Sequence, residues 1–277
     1  MSTINSNQKP KILGLIAGNG RFPVVFAQAA KRKANVTIFA VGIKGDTSRE
    51  LKKYVDKLFW VGPGELKKLL GMLKAGNISE VVMAGQVNPK NLFNKKIALD
   101  QDIKALLERV KDKKADTIFS AVAEKLQELG IQLIDSTIYL KDLMPPKGAL
   151  TQRTPTPAEW DDIMFGKDIA KHIGHLDIGQ TVCIKQKAIL AIEALEGTDE
   201  AILRAGRLGN GNVTVVKVSK PQQDMRFDIP VIGMNTIKSL ITAKACCLAI
   251  EAEKTLLLDR EQCVAQANKK GICIIAV

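Results

Sequence analysis

Short apolar blocks alternate with longer amphipathic stretches along the first half of the chain. Ile12 to Ala17 is an apolar run that ends in Gly18-Asn19-Gly20-Arg21-Phe22-Pro23. A helical pattern through Val24, Val25, Ala27, Ala29 and Ala30 follows, closed by Lys31-Arg32-Lys33, and Val36 to Val41 reads as a second strand. Strand, glycine turn, helix and strand in that order form the first unit of a parallel α/β sheet. An amphipathic helix over Glu65 to Lys74 stops near Gly76-Asn77. Val81 to Ala84 is a third strand, with the turn Gly85-Gln86-Val87-Asn88-Pro89 at its C-terminal end, the edge where open α/β sheets bind ligands. Helices from about Leu99 to Val110 and Thr117 to Leu129 precede a short strand over Ile131 to Ile134.

Four of the ten prolines fall between Met144 and Pro157, which marks an extended connector and places a domain boundary near 145. The pattern then changes. A helix is expected over Glu159 to Ile173, and Thr181 to Ile184 with Ile189 to Ile192 reads as an antiparallel pair around Lys185-Gln186-Lys187. A helix from about Glu200 to Ala205, a strand over Val213 to Val218 and a long helix from about Asn235 to Glu253 come next. A strand Thr255 to Leu258, a helix near Glu261 to Asn268 and a last strand Ile272 to Ala276 complete an α+β domain. The expected division is 1–145, with a parallel sheet, and 146–277, with its own α+β arrangement.

A chain of 277 residues, 46% hydrophobic and 25% charged, has the composition of a soluble protein with one large core or two smaller ones. The net charge of +12 suits a nucleic acid, an anionic membrane surface or a phosphorylated substrate. With 4% aromatic residues, stacking platforms for single-stranded nucleic acid are scarce, and no nucleic-acid partner is expected. Helix dipoles explain part of the basic excess, because Lys31-Arg32-Lys33 and the group Lys111, Lys113 and Lys114 close helices. The five cysteines form no CxxC pair and sit in apolar runs, as buried thiols in a reducing compartment do. The first ten residues are polar, with fraying expected, and no apolar run reaches the ~18 residues that span a bilayer. A cytoplasmic protein with at most peripheral membrane contact is expected.

Candidate chemistry concentrates in Lys220-Pro221-Gln222-Gln223-Asp224-Met225-Arg226-Phe227-Asp228-Ile229-Pro230-Val231-Ile232-Gly233. Prolines bracket this charged stretch, so it belongs in a loop at a strand end. Carboxylates beside fixed cations suit a divalent metal or a water held against a phosphate; a solvated charged loop is the plainer alternative. In Glu196-Gly197-Thr198-Asp199, Thr198 or Asp199 could cap the next helix, or the helix start and the Thr198 hydroxyl could face a phosphate, with a carboxylate holding a cation; Arg204 and Arg207 could reach the same anion or simply be solvated. Gly18-Asn19-Gly20 is either a tight turn or a phosphate contact. A dinucleotide fingerprint is not met, because Pro23 takes the third glycine position and Gly42-Ile43-Lys44-Gly45 follows the second strand where an acidic residue would sit. His172, His175 and Asp177 mimic a metal set, but Gly174 is expected to end their helix and no third histidine exists.

Four stretches together resemble the two-domain UDP-2,3-diacylglucosamine pyrophosphatase family of lipid A biosynthesis, a family unrelated to metallophosphoesterases. They are Ala17 to Pro23, Gly85-Gln86-Val87, Glu193 to Asp199, and Lys220 to Gly233 with its Gln223-Asp224-x-Arg226-x-Asp228 core. The resemblance implies a Rossmann-like N-terminal domain, a separate C-terminal domain and a substrate between them. It implies hydrolysis of UDP-2,3-diacylglucosamine to UMP and 2,3-diacylglucosamine 1-phosphate, with Mg²⁺ or Mn²⁺, at the cytoplasmic face of the inner membrane of Gram-negative bacteria. Asp224 is the favoured catalytic aspartate, with Asp228 as the alternative and Arg226 neutralising charge. Asp224 and Asp199 would hold the metal, and Gly18, Asn19, Gly20, Gln86, Thr198, Asp199 and Lys220 would contact substrate. An apolar crevice near the domain junction is expected for the acyl chains, and the oligomeric state is open, a homodimer included. The competing readings are a transferase or hydrolase of an unacylated nucleotide-sugar, a non-catalytic nucleotide-sugar sensor, and a nucleic-acid-binding protein.

Overall fold

The computed structural model describes residues 10–87, 96–112 and 114–277; the expected fraying of the N-terminus, and Asn88, Pro89 and Lys113, lie outside them. The chain forms two compact units, Met1–Tyr139 with Met225–Phe227, and Leu140–Asp224 with Asp228–Val277. The division thus falls between Tyr139 and Leu140, a few residues before the expected 145. Leu140 is fully buried within the second unit.

The first unit is built on a five-stranded parallel sheet in the order β3-β2-β1-β4-β5. The strands are β1 (Lys11–Ala17), β2 (Val36–Ile43), β3 (Lys57–Val61), β4 (Glu80–Ala84) and β5 (Gln132–Leu133). Helices α1 (Phe22–Lys33), α2 (Leu66–Ala75), α3 (Gln101–Arg109) and α4 (Ala115–Glu128) connect and cover them. Near-continuous burial along β1 and β2 is what a parallel sheet covered on both faces requires. Leu66, Leu69, Leu70 and Leu73 are the buried stripe of α2. The pattern reading overlooks β3, whose side chains alternate between exposed and half-buried because it is an edge strand. Its Phe59 stacks on Phe39 with ring centroids 4.8 Å apart.

The second unit carries a six-stranded mixed sheet in the order β6-β13-β11-β9-β7-β8. Here β9 (Thr214–Lys217), β11 (Cys247–Ile250) and β13 (Cys273–Ala276) run parallel, while β6 (Gly148–Ala149), β7 (Thr181–Lys185) and β8 (Ala188–Ile192) pair antiparallel. The pair β10 (Val231–Ile232) and β12 (Leu256–Leu257) forms a small parallel sheet. Helices α5 (Pro157–His175), α6 (Thr198–Gly209), α7 (Met234–Thr242) and α8 (Arg260–Lys269) complete the unit. The expected fold class, α/β with a parallel sheet first and an α+β arrangement second, is what the chain adopts.

Two expectations are corrected. The long helix over Asn235 to Glu253 is a helix and a strand: α7 stops at Thr242, Lys244 takes φ 50, and Cys247–Ile250 is the fully buried β11. A short apolar run reads equally as buried helix or buried strand, and pairing to both β9 and β13 decides it. The helix α5 also does not stop at Gly174 but continues to His175. Its start carries a capping box between Thr156 and Glu159. Gly166 lets α5 lie close on the sheet, since a Cβ there would come within 2.1 Å of Ile184 Cδ1.

The β7–β8 hairpin turns through Gln186 and Lys187, both left-handed at φ 52 and 60. Neither is a residue that favours such a turn. The buried Asp162 carboxylate of α5 accepts from both amides, at 3.1 and 2.7 Å, and holds it.

Candidate active site

In the first sheet β1 and β4 are neighbours, and the order 3-2-1-4-5 reverses between them. Beyond their carboxyl ends lies the crevice where doubly wound sheets bind ligands. The turns that follow the two strands knit together there. Gly18 N donates to Ala84 O at 2.8 Å and Asn19 N to Gln86 O at 2.7 Å, and Gly20 N donates to the Asn19 side chain at 2.6 Å. Gly20 and Gly85 both take φ 86. The structure therefore brings Gly18, Asn19, Gly20 and Gln86 together at one sheet edge.

Beside this edge the first unit encloses an apolar cavity of about 170 Å³. Ile16, Ile43, Val61 and Met83 reach it from strand ends, and Leu69 and Val122 from helices. This cavity is built from first-unit residues alone, because the strand ends and the leucine face of α2 supply its walls.

The Lys220–Asp228 segment follows β9 as a folded loop. Lys220 N donates to Gln223 Oε1 at 2.6 Å, Gln223 N to Lys220 O at 3.2 Å and Asp228 N to Asp224 O at 2.9 Å; the Gln223 side-chain amide donates to Asp228 O. The Lys220 ammonium lies 2.5 Å from Asp177 Oδ1 and 3.0 Å from Asp228 Oδ2. All three side chains are largely shielded from solvent, at 12%, 19% and 21% exposure. Asp224 is half-buried and Arg226 exposed, its guanidinium 5.9 Å from the Phe227 ring centroid. Met225–Phe227 belongs to the first unit: Ser136 donates to the Met225 carbonyl through its amide at 3.1 Å and its hydroxyl at 3.0 Å, and Phe227 packs 5.7 Å from Phe119. Asp224 and Asp228 thus flank three residues anchored in another core.

Just upstream, Ser219 is held by Glu251, whose Oε2 accepts from the Ser219 amide and hydroxyl at 2.7 Å each and from Lys171 at 2.6 Å. Burial pushes the Glu251 carboxyl up, but Lys171, Ser219 and Lys254 more than offset it and bring it down to about 2.

Thr198 and Asp199 lie in the first turn of α6, and neither caps it; Gly197, at φ 88, is the cap residue. The Thr198 hydroxyl donates its one proton to Glu193 at 2.7 Å and accepts from the buried Lys217 at 2.7 Å. Burial raises the Glu193 carboxyl, but Lys217, Thr181 and Thr198 hold it below its ordinary range. Burial raises Asp199, with Thr236 and Lys217 pulling the other way, and its Oδ1 is buried with no hydrogen-bond partner among the described residues. Arg204 is turned to Glu196 at 2.5 Å and the Ile192 carbonyl at 2.8 Å. Its guanidinium is thus engaged by residues that precede α6.

His172 bonds the Asp168 carbonyl of its own helix at 2.7 Å, and Asp177 is committed to Lys220. The five cysteines are free thiols, four of them buried, with burial pushing Cys183 up to about 12. Pattern reading passes over Lys217 and Glu251, takes Asp177 only as a mimic of a metal ligand, and reaches Glu193 only as the start of the Glu193 to Asp199 stretch. Lys217 lies inside an apolar run and Glu251 at the end of one, and only the charge of Lys217 within Val213 to Val218 offers a signal.

Among the described residues no group of three His, Cys, Asp or Glu gathers as a metal cage. The oxygen-only donor set, with a buried unpartnered Asp199 oxygen, fits a hard divalent cation completed by water and substrate phosphate, which needs one or two carboxylates.

The family described as LpxI N-terminal domain matches residues 12–143, and that described as LpxI C-terminal domain matches residues 146–275. The chain belongs to the LpxI family. It is similar to a protein of Caulobacter vibrioides named UDP-2,3-diacylglucosamine pyrophosphatase LpxI, with 30% identity over 276 residues, covering 96% of this chain and 97% of that one. A solved biotin carboxylase subunit of pyruvate carboxylase is similar at 12% identity and a TM-score of 0.27, over 72% of this chain and 41% of that one, too slight a likeness to bear on fold or function. Gly18 and Gln86 lie in the first matched region, and Thr198, Asp199 and Lys220 to Asp228 in the second.

Proposed function

We propose that this chain hydrolyses the pyrophosphate of UDP-2,3-diacylglucosamine. The observation that carries this reading is the match to both LpxI domains together with a relative of that activity across nearly the whole chain. Water attacks the α-phosphorus and loses its proton to a carboxylate of the Asp224–Asp228 loop. The bond from the α-phosphorus to the bridging oxygen breaks, and the products are UMP and 2,3-diacylglucosamine 1-phosphate. Asp224 is the favoured base, with Asp228 as its neighbour, and Lys220 and Arg226 neutralise charge that develops on the phosphoryl oxygens.

A bound Mg²⁺ or Mn²⁺ supplies Lewis-acid neutralisation of the diphosphate, and Asp224 and Asp199 are its proposed ligands. Gly18, Asn19, Gly20 and Gln86 form the nucleotide-sugar edge. Thr198 contributes through its place at the start of α6, its hydroxyl proton being given to Glu193. The cavity lined by Ile16, Leu69 and Val122 accommodates acyl chain. Membrane contact is proposed as peripheral: no helix of the described residues is long and apolar enough to cross a bilayer. Lys and Arg exceed Asp and Glu by 23 to 13 over residues 1–139, against 18 to 16 over the remainder, so the basic excess lies in the part that holds the cavity.

The test is hydrolysis of the substrate in mixed micelles with Mg²⁺ in H₂¹⁸O, for wild type and Asp224→Asn. Label in UMP and at least a hundredfold loss of kcat in the variant is the expected result. An inert wild type that still binds UDP-glucosamine derivatives would instead favour a sensor.

A further inference from the structure

We infer that Asp177 is a positioning residue for the reaction: it fixes the ammonium of Lys220 at the start of the catalytic loop. The inference rests on the hydrolase reading for its kinetic consequence, but on geometry alone for the contact. Asp177 lies outside the Lys220–Gly233 stretch by more than forty positions, and the sequence sets it beside His172 and His175 with no link to Lys220.

Three observations carry it. The Asp177 carboxylate is 2.5 Å from Lys220 Nζ, closer than Asp228 at 3.0 Å. Both partners are sheltered, with side-chain exposures of 12% for Lys220 and 19% for Asp177, where a charge pair is less screened than at an open surface. The backbone that presents Asp177 is also fixed. It follows the end of α5 with φ 55, and its amide donates to Gly174 O at 3.1 Å while Ile178 N donates to Ile173 O at 3.1 Å. Gly174 itself lies directly on the loop: a Cβ built there would be 3.5 Å from Lys220 Cα and 3.6 Å from Pro221 Cδ.

The physical consequence concerns freedom of motion. Lysine is a point charge on a flexible four-carbon stem, and a phosphoryl transition state gains most from a cation already in place. Held by carboxylates of the loop alone, Lys220 would be drawn towards acids that the reaction needs. With Asp177 as a partner outside the loop, the ammonium stays anchored when Asp228 takes part in catalysis.

Asparagine tolerates the left-handed backbone as well as aspartate does, so Asp177→Asn removes the charge without straining the turn. The experiment compares wild type, Asp177→Asn, Lys220→Met and the double variant, by hydrolysis in mixed micelles with Mg²⁺ and by NMR of lysine ammonium groups in the full chain. The Lys220 signal is assigned as the one missing in Lys220→Met. Expected are at least a tenfold fall in kcat for Asp177→Asn with KM within about twofold, a double variant no worse than Lys220→Met, and a displaced or lost Lys220 signal in Asp177→Asn. A kcat within twofold of wild type, or additive losses in the double variant, would overturn the inference. If wild type proves inert, the activity reading falls by itself and the signal still decides the contact; a Lys220 signal unmoved by Asp177→Asn overturns it.

Discussion

Gly18 and Gln86 approach so closely that a single methyl group would force them apart: a Cβ on Gly18 would lie 2.6 Å from the Gln86 carbonyl oxygen. The turns after β1 and β4 interlock through this contact, and Gly85 faces the same limit, with a Cβ falling 2.5 Å from Asn19 O. Glycine is needed at 18 for backbone proximity, since only Gly20 and Gly85 of this group take positive φ.

Gly18→Ala therefore should push the two turns apart. We expect a loss of about 1–3 kcal/mol in stability and at least a tenfold rise in KM for the nucleotide-sugar. Urea unfolding with steady-state kinetics checks both, and an unchanged KM would remove this edge from the substrate site.

Filling the apolar cavity should discriminate between substrates. Val122→Phe replaces an isopropyl group by a benzyl group in a space of about 170 Å³. The expected outcome is a KM about tenfold higher for the diacylated substrate, with the affinity for UDP-N-acetylglucosamine unchanged within twofold. Equal effects on both ligands would place the acyl chains elsewhere.

Asp162→Ala should loosen the β7–β8 hairpin. Two amides, of Gln186 and Lys187, lose their acceptor while both residues stay left-handed. The expected cost is about 2–3 kcal/mol, for a buried charged acceptor removed from two donors, read as a lower denaturation midpoint. Asp162→Asn, which keeps one acceptor oxygen, should recover part of it.

The carboxylate of Glu251 sets a pH dependence with a definite sign. Its folded value is lowered to about 2 from an ordinary 4.5, so its contribution is complete above about 4.5 and fades as pH falls towards 2. Unfolding of wild type and Glu251→Gln should differ most near neutrality, with the gap closing through that window. A gap that is constant down to pH 2.5 would show that the Lys171 and Ser219 contacts do not depend on the charge.

Much of the fold was legible because local pattern and global role agree. The β1 run, its glycine turn, the basic end of α1 and the strand β2 appear in order, and each period matches the burial the sheet imposes. Legibility failed where burial is incomplete or total. The edge strand β3 alternates only between exposed and half-buried positions, with a single fully buried residue, and β11, buried on both faces, carries no period to separate it from the helix before it.

The site divides in the same way. Sequence by itself determined the chemical inventory: glycines at a strand end, and a loop with Asp224, Arg226 and Asp228 between Pro221 and Pro230, preceded by Lys220. Only the tertiary structure decided how those groups are engaged. It gave Asp177 to Lys220, Glu251 to Ser219 and Glu193 to Thr198, and it placed Met225–Phe227 in the first unit. The reason is that ion pairs and hydrogen bonds act over about 3–4 Å in space, whereas Asp177 and Lys220, or Glu251 and Ser219, are more than thirty positions apart along the chain, and even Glu193 and Thr198 meet across the turn before α6 rather than along one helix or strand.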